Sequence, residues 1–424
     1  MPLDRTTPPP FRQTENIILK SPQEFRLPNG IPLFWFANPD LDLIHLSIKI
    51  KAGALYEPQK RIAGFCYNLL KESHPEKSAE EFEAFLDYYG TALNISAGIN
   101  QISINVQFPK RNGGFVIPEL ARMLIAPQYR SEEFTRYRAK TIKDWEYNAR
   151  KVDYRTTQLM FHLFFHPKYP FGKLPERFDF ENITLEKIQE YHHDTCRAEN
   201  IRLFLAGNAS QDLLNLVSEH FSLIKNGEKM PVLSDISGEY HPQHIHEKWD
   251  DALQTSFVLC HHGPAYNATD IHPFRFFNTL FCNYFGSRLM QNLRESNGYT
   301  YGINGSLFHY EGGSIHYIES DVNNDKAEAA IQACFDEMKR LREEPVNDEE
   351  MEIVRNYLFG NVLQSIDGTV QYMQSYIGWH DFGCREERFY NYFNTIKNIT
   401  AEDIMLMANK YLREEDFSVL SVGN

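Results

Sequence analysis

The stretch Gly286–Ser306, GSRLMQNLRESNGYTYGINGS, decides how this chain is read. Leu289, Met290 and Leu293 form a helical stripe, and Asn297-Gly298 is a stop and turn, since both residue types tolerate positive φ. Tyr299 and Tyr301 then alternate with Thr300 and Gly302, which is strand spacing. The reading is therefore helix, tight turn, strand. Such a turn brings Arg294 of the helix near Tyr301 of the strand, a cation and a phenol within reach of one ligand group. Spacing alone is equally met by a surface Arg and a half-buried Tyr, the commoner case.

Working outward, 424 residues suffice for two or more ordinary cores. The chain is 42% hydrophobic, and its net charge of −14 argues against nucleic-acid or anionic-membrane partners. Six scattered cysteines with no CxxC pair suit buried thiols of a reducing compartment. No apolar run approaches the ~18 residues of a membrane span. The N-terminus has no apolar leader core. A cytoplasmic location is the default expectation.

Residues 1–24 are polar with Pro8-Pro9-Pro10 and read as an extended arm. Ile44, Leu46, Ile48 and Ile50 alternate with His45, Ser47 and Lys49, a half-buried strand. Ser78 and Glu81 make a capping box that opens a helix. Ile102 to Phe108 alternates as a second strand, and about Ser131 to Phe165 is largely helical. In the second half, the pattern predicts a strand at Ser256–His261 and a helix through Phe276–Arg294. It also predicts a hairpin over Tyr301–Asp321 turning at Glu311-Gly312-Gly313.

NITLEKIQEYHHDTCRAENIRLFLAGN (Asn182–Asn208) aligns without gaps on NITAEDIMLMANKYLREEDFSVLSVGN (Asn398–Asn424), 216 residues later. Cap, helix, strand and terminator coincide, so the chain is an internal duplication of whole domains. The expected division is 25–225 for the first domain, 226–248 for a polar linker and 249–424 for the second. Strands and helices mixed within each half predict an α+β fold. Each copy is a mostly antiparallel sheet with helices on one face.

SRLMQNLRESNGYTYG, as SRL-x4-RE-x2-G-x2-Y, resembles the C-terminal-half signature of the insulinase/pitrilysin-like zinc peptidases, the M16 family. Ala52-Gly53-x-x-Tyr56-Glu57 and His166-Pro167-x-x-Pro170-x-Gly172 resemble further segments of that family, so the likeness spans about residues 25–424. It implies that Arg294 and Tyr301 bind and orient a peptide substrate. Active members carry an inverted HxxEH on a helix after the YE segment. Its two His bind zinc, and its Glu is the base for the metal-bound water. Here that helix is Ile62–Lys71, and the matching positions are Phe65, Asn68 and Leu69. None can do this chemistry. Asp144 or Glu146 falls near the family's distal carboxylate but alone cannot hold a metal.

His162 and His166 have helical i, i+4 spacing, but no Glu lies between them and His166 precedes a Pro. His241, His244 and His246 of the linker read as solvated. The expectation is no metal and no cofactor in this chain.

The resemblance thus implies a non-catalytic, substrate-binding subunit of a heterodimeric zinc endopeptidase acting on short or unfolded peptides. The partner would be an HxxEH-containing subunit that supplies the zinc, and Arg294 and Tyr301 would donate to the substrate carbonyl or oxyanion. The alternative is a proteolytically inactive peptide-binding or structural protein of the same fold, self-associating as a homodimer.

Overall fold

The computed structural model describes residues 17–233 and 236–424. The expected arm falls mostly outside them. Its end, at 17–22, runs along the second half, where the Leu19 amide donates to the Tyr390 hydroxyl (3.0 Å).

The first half contributes strands β1 (Gln23–Arg26), β2 (Pro32–Ala37) and β3 (Leu43–Ile50). Helices α1 (Ile62–Asn68) and α2 (Ala79–Tyr88) follow, then β4 (Ala92–Ala97) and β5 (Ile102–Pro109). Next come α3 (Gly113–Ile125), α4 (Ser131–Asn148), α5 (Val152–Phe164), α6 (Arg177–Glu181), α7 (Leu185–Thr195), β6 (Ile201–Gly207) and α8 (Gln211–Phe221). The second half contributes β7 (His244–Lys248), β8 (Gln254–His262), α9 (Ile271–Cys282), β9 (Thr300–Tyr310) and β10 (Gly313–Asn323). It closes with α10 (Ala327–Glu343), α11 (Asp348–Gln364), α12 (Thr369–His380), α13 (Glu387–Asn398), α14 (Ala401–Tyr411) and β11 (Ser418–Gly423).

The strand orders are β1-β2-β6-β3-β5-β4 and β7-β11-β8-β10-β9. Apart from the added β1, the second repeats the first. In each sheet one pair is parallel, β2 with β6 and β7 with β11, and the remaining pairs are antiparallel. The duplication extends to individual residues: α7 spans 185–195 and α14 spans 401–411. Thr184 and Thr400 cap them with their side chains. The architecture is α+β, two such sheets with helices. The stretch expected as linker, 226–248, also supplies β7 of the second sheet.

Beyond the single helical face expected, each sheet is covered on its other face by a helix of the opposite half. Helix α5 lies on β8 and β11, where Leu159, Met160 and Phe164 join Val258, Cys260, Leu420 and Val422 in one buried cluster. Helix α12 lies on β2 and β6, where Tyr372, Met373 and Tyr376 pack with Phe34, Phe36 and Phe204. The half-buried reading of β3 is corrected at Ser47 and Lys49. Its polar face is buried as well, with Ser47 bonded to Asn105 (2.7 Å) and Lys49 to Ser103 (2.8 Å). Asp381, just past α12, draws on the Lys49 charge and pairs with Arg202 (3.1 Å).

The helix expected through Phe276–Arg294 is two. Helix α9 stops at Cys282, the chain turns through 283–287, and a second helix carries a π segment at Met290–Ser296. Similarly, the helical stretch from Ser131 breaks between α4 and α5.

Candidate functional site

Helix α1 is set by the segment before it. Gly53 packs so closely on the Ile99–Gln101 backbone that a Cβ there would collide with the Ile99 carbonyl. Glu57 is buried and accepts from the amides of Arg61 (2.9 Å) and Ala63 (3.3 Å), tying down free donors of the first turn. Burial pushes its carboxyl up to about 7 despite those donors. Lys60 donates to the carbonyls of Pro170, Phe171 and Lys173, holding the HPKYPFG loop. Burial lowers its ammonium to about 8.

On α1 the three positions opposite the family's ligands are filled by packing. Phe65 and Leu69 are 1% exposed and belong to the first core. Phe65 meets Tyr137 of α4 edge-on at 5.2 Å, and Asn68 donates to the Tyr137 hydroxyl (3.2 Å). Tyr137, Thr141 and Trp145 form the inward stripe of α4 at i, i+4 spacing. The acids lie off that stripe: Asp144 is exposed, and Glu146 pairs with Arg177. Burial raises the Tyr137 phenol. Between α1 and α4 an aromatic ring and an amide are thus packed on Tyr137.

The His162/His166 pair does not converge. His162 bonds through Nδ1 to the Gly172 carbonyl (2.8 Å), and Nδ1 of His166 accepts from the Lys168 amide (3.0 Å). His241 and His244 are exposed, and His246 bonds to Ser421 (2.9 Å). Among the described residues no three His, Cys, Asp or Glu side chains gather as a metal-ligand set.

The second-half pair is presented differently. Leu289, Met290 and Leu293 are buried as the stripe requires, and Gly298 (φ 62°) makes the turn. The wider π segment then ends with Asn297 N–H on the Asn292 carbonyl (3.1 Å), a form common at functional sites. Arg294 lies over the exposed ring of Phe285 (4.6 Å to the centroid) and 3.4 Å from Glu295. Tyr301 is 90% exposed and makes no hydrogen bond among the described residues, so it is not the half-buried Tyr that alternation suggests. The two side chains are not hydrogen-bonded to each other. Tyr301 lies on β9, an edge strand, and Arg294 over Phe285; neither lines the cleft of about 810 Å³ between the halves, but their neighbours Gly302 and Phe285 do. Asn148, Lys151 and Tyr154 of the first half form one wall. Phe285, Gly302, Glu319 and Asp321 form the other. Burial raises the Glu319 and Asp321 carboxyls, and the nearby Asp153 adds to the rise.

Residues 182–358 match the family model described as peptidase M16 inactive domain. A crystal structure of a peptidase M16 inactive domain from Pseudomonas fluorescens superposes with a TM-score of 0.87. It is 15% identical, with 95% of this chain and 98% of that one covered. Residues 182–358 are thus similar to the M16 peptidase inactive domain, and the chain as a whole has the M16 fold. A protease from Helicobacter pylori is similar to this chain at a TM-score of 0.86 and 16% identity, covering 96% and 100% of the two chains. The mitochondrial-processing peptidase subunit beta of Lentinula edodes is 20% identical over 421 residues, 94% of this chain and 89% of that one.

Sequence reasoning missed the first-half wall of the cleft and Phe285, the platform of Arg294. The cleft wall comes from residues more than a hundred positions away, which no local pattern signals. Phe285 was legible only as an aromatic beside a Gly.

Proposed function

We propose that this chain is the zinc-free, substrate-binding member of a two-subunit M16 peptidase. The observation that carries the reading is the contrast between the halves. The first packs Phe65 against Tyr137. The second leaves a free phenol and a cation beside residues that line a cleft, Gly302 and Phe285. A buried aromatic contact serves folding; an unpartnered Tyr301 at 90% exposure serves nothing inside this chain.

In this reading an extended peptide runs along a sheet edge, where β9 leaves backbone groups free for strand addition. Arg294 and Tyr301 donate to its carbonyl, and to the oxyanion as the partner's zinc-bound water attacks. The acids Asp153, Glu319 and Asp321 favour peptides with basic residues. The relative named as a peptidase subunit beta is, by its name, part of a multi-subunit enzyme, which supports a paired arrangement here.

The test is cleavage of a fluorogenic peptide library by this chain alone and after mixing with a similar-length chain carrying HxxEH. Activity only in the mixture, lost with Arg294→Ala, is the expected result. Stoichiometric zinc and chelator-sensitive cleavage by this chain alone overturns it. So does a mixture whose activity is indifferent to Arg294 and Tyr301.

A further inference from the structure

A second cavity, of about 500 Å³, lies behind β9 among α9, α11, α12 and α13. It differs from the cleft in charge. Arg275 and Arg388 line it, and no Asp or Glu does, in a chain with 57 acidic residues. Arg388 is only 5% exposed. Its guanidinium stacks on the Tyr266 ring (3.6 Å to the centroid), and Nη1 donates to the Tyr266 carbonyl (2.6 Å). Nε and Nη2 are buried and have no partner among the described residues.

That empty edge is the informative feature. Elsewhere in this molecule the same Nε–Nη2 edge grips a carboxylate with two parallel bonds. Arg155 holds Glu247 so (2.7 and 2.6 Å), and Arg288 holds Glu350 (both 2.8 Å). This is the fork that matches planar oxyanions. Arg388 has the fork, held in place by Tyr266, and no anion in it. A buried, unpaired guanidinium is costly unless a counter-charge arrives. Arg275 adds a second cation. It stacks on Tyr392 (4.2 Å) and has no carboxylate partner among the described residues. The two guanidiniums, after burial, also keep His309 and His272 neutral, a sign of uncompensated positive potential. Trp379, Leu358 and Val362 give the rest of the wall an apolar character.

We propose that this cavity binds a small organic anion. Its carboxylate or phosphate is seated on the Arg388 fork and capped by Arg275, and its apolar body lies against Trp379 and Leu358. The cavity and the cleft meet at Asn283, which lines both and donates to the Gly305 carbonyl (2.7 Å) of β9. An occupant is therefore separated from the peptide-side strand by a single residue, yet the site is independent of the peptidase reading.

The test is calorimetric titration of the full chain with phenyl phosphate, 3-phenylpropionate and inorganic phosphate. Saturable binding at one site per chain is expected, weakened about tenfold or more by Arg275→Gln. Because Arg275 is exposed, that variant keeps the fold even where Arg388→Gln does not. Tighter binding of the phosphate ester assigns a phosphate head, and tighter binding of phenylpropionate a carboxylate. Arg294→Ala should leave the affinity unchanged. No saturable binding by any probe, binding indifferent to Arg275→Gln, or binding lost in Arg294→Ala each overturns the proposal.

Discussion

The ring of Phe65 stands edge-on to that of Tyr137, with centroids 5.2 Å and planes 89° apart. The contact joins α1 to α4 at a position that the resemblance matches to a zinc ligand. A core Phe at 1% exposure contributes both its transfer energy and the filling of its space. Phe65→Ala should therefore cost about 3–5 kcal/mol of stability, read from urea midpoints at unchanged slope. A loss under ~1 kcal/mol would mean that α1 and α4 are loosely packed.

Tyr301 and Arg294 should behave in the opposite way. Neither supports the core, so Tyr301→Phe and Arg294→Ala should leave the melting temperature unchanged. In the proposed two-subunit peptidase, Arg294→Ala should lower kcat/KM by roughly 10–100-fold, as loss of a charged donor does. Tyr301→Phe should lower it less. Melting curves and kinetics on the same preparations separate the two effects.

The tip of the β9–β10 hairpin is latched to the first half. Glu311 accepts from Lys51 (3.0 Å) and from the Tyr56 hydroxyl. Glu311→Ala should cost roughly 1–3 kcal/mol and speed hydrogen exchange at 307–314. Unchanged exchange there would show that the hairpin is held by Phe308 and Tyr310 alone.

Acid should destabilise this protein. Burial lowers His192, His309 and His380 to about 4, and His272 and His316 to about 3, from the usual 6.5. The folded state thus binds fewer protons than the unfolded chain between about pH 6.5 and 4, so stability is lost as pH falls through that window. Glu57, raised to about 7, acts with the opposite sign between about 4.5 and 7, as do the raised Glu319 and Asp321, but these are three groups against five. Urea midpoints at pH 7 and 5 should differ by at least ~2 kcal/mol, with the lower stability at pH 5.

The exchange of α5 and α12 ties the halves together. Residues 25–225 expressed alone would leave Phe34, Phe36 and Phe204 without α12, and 249–424 alone would leave Val258 and Leu420 without α5. Each half alone should bind a hydrophobic dye and lack a cooperative transition. Co-expression should restore one. Two cooperative halves would show that the exchanged helices are dispensable.

Much of this was already written in the chain. Residue types alone rule out zinc ligation at Phe65, Asn68 and Leu69. The 216-residue repeat of cap, helix, strand and Gly-Asn foretold two like sheets, because capping and alternation are local properties. The helix–turn–strand at Gly286–Ser306 was legible for the same reason. Other features were decided only in three dimensions. Periodicity says which side of an element is buried, never what buries it. The charge that faces the buried Lys49 comes from Asp381, just past α12 and more than three hundred residues later. That Tyr137 and not a carboxylate faces α1 depends on how α4 is rotated in its packing. The unpaired fork of Arg388 is an absence of partners, and an absence of partners exists only once every other side chain has been placed.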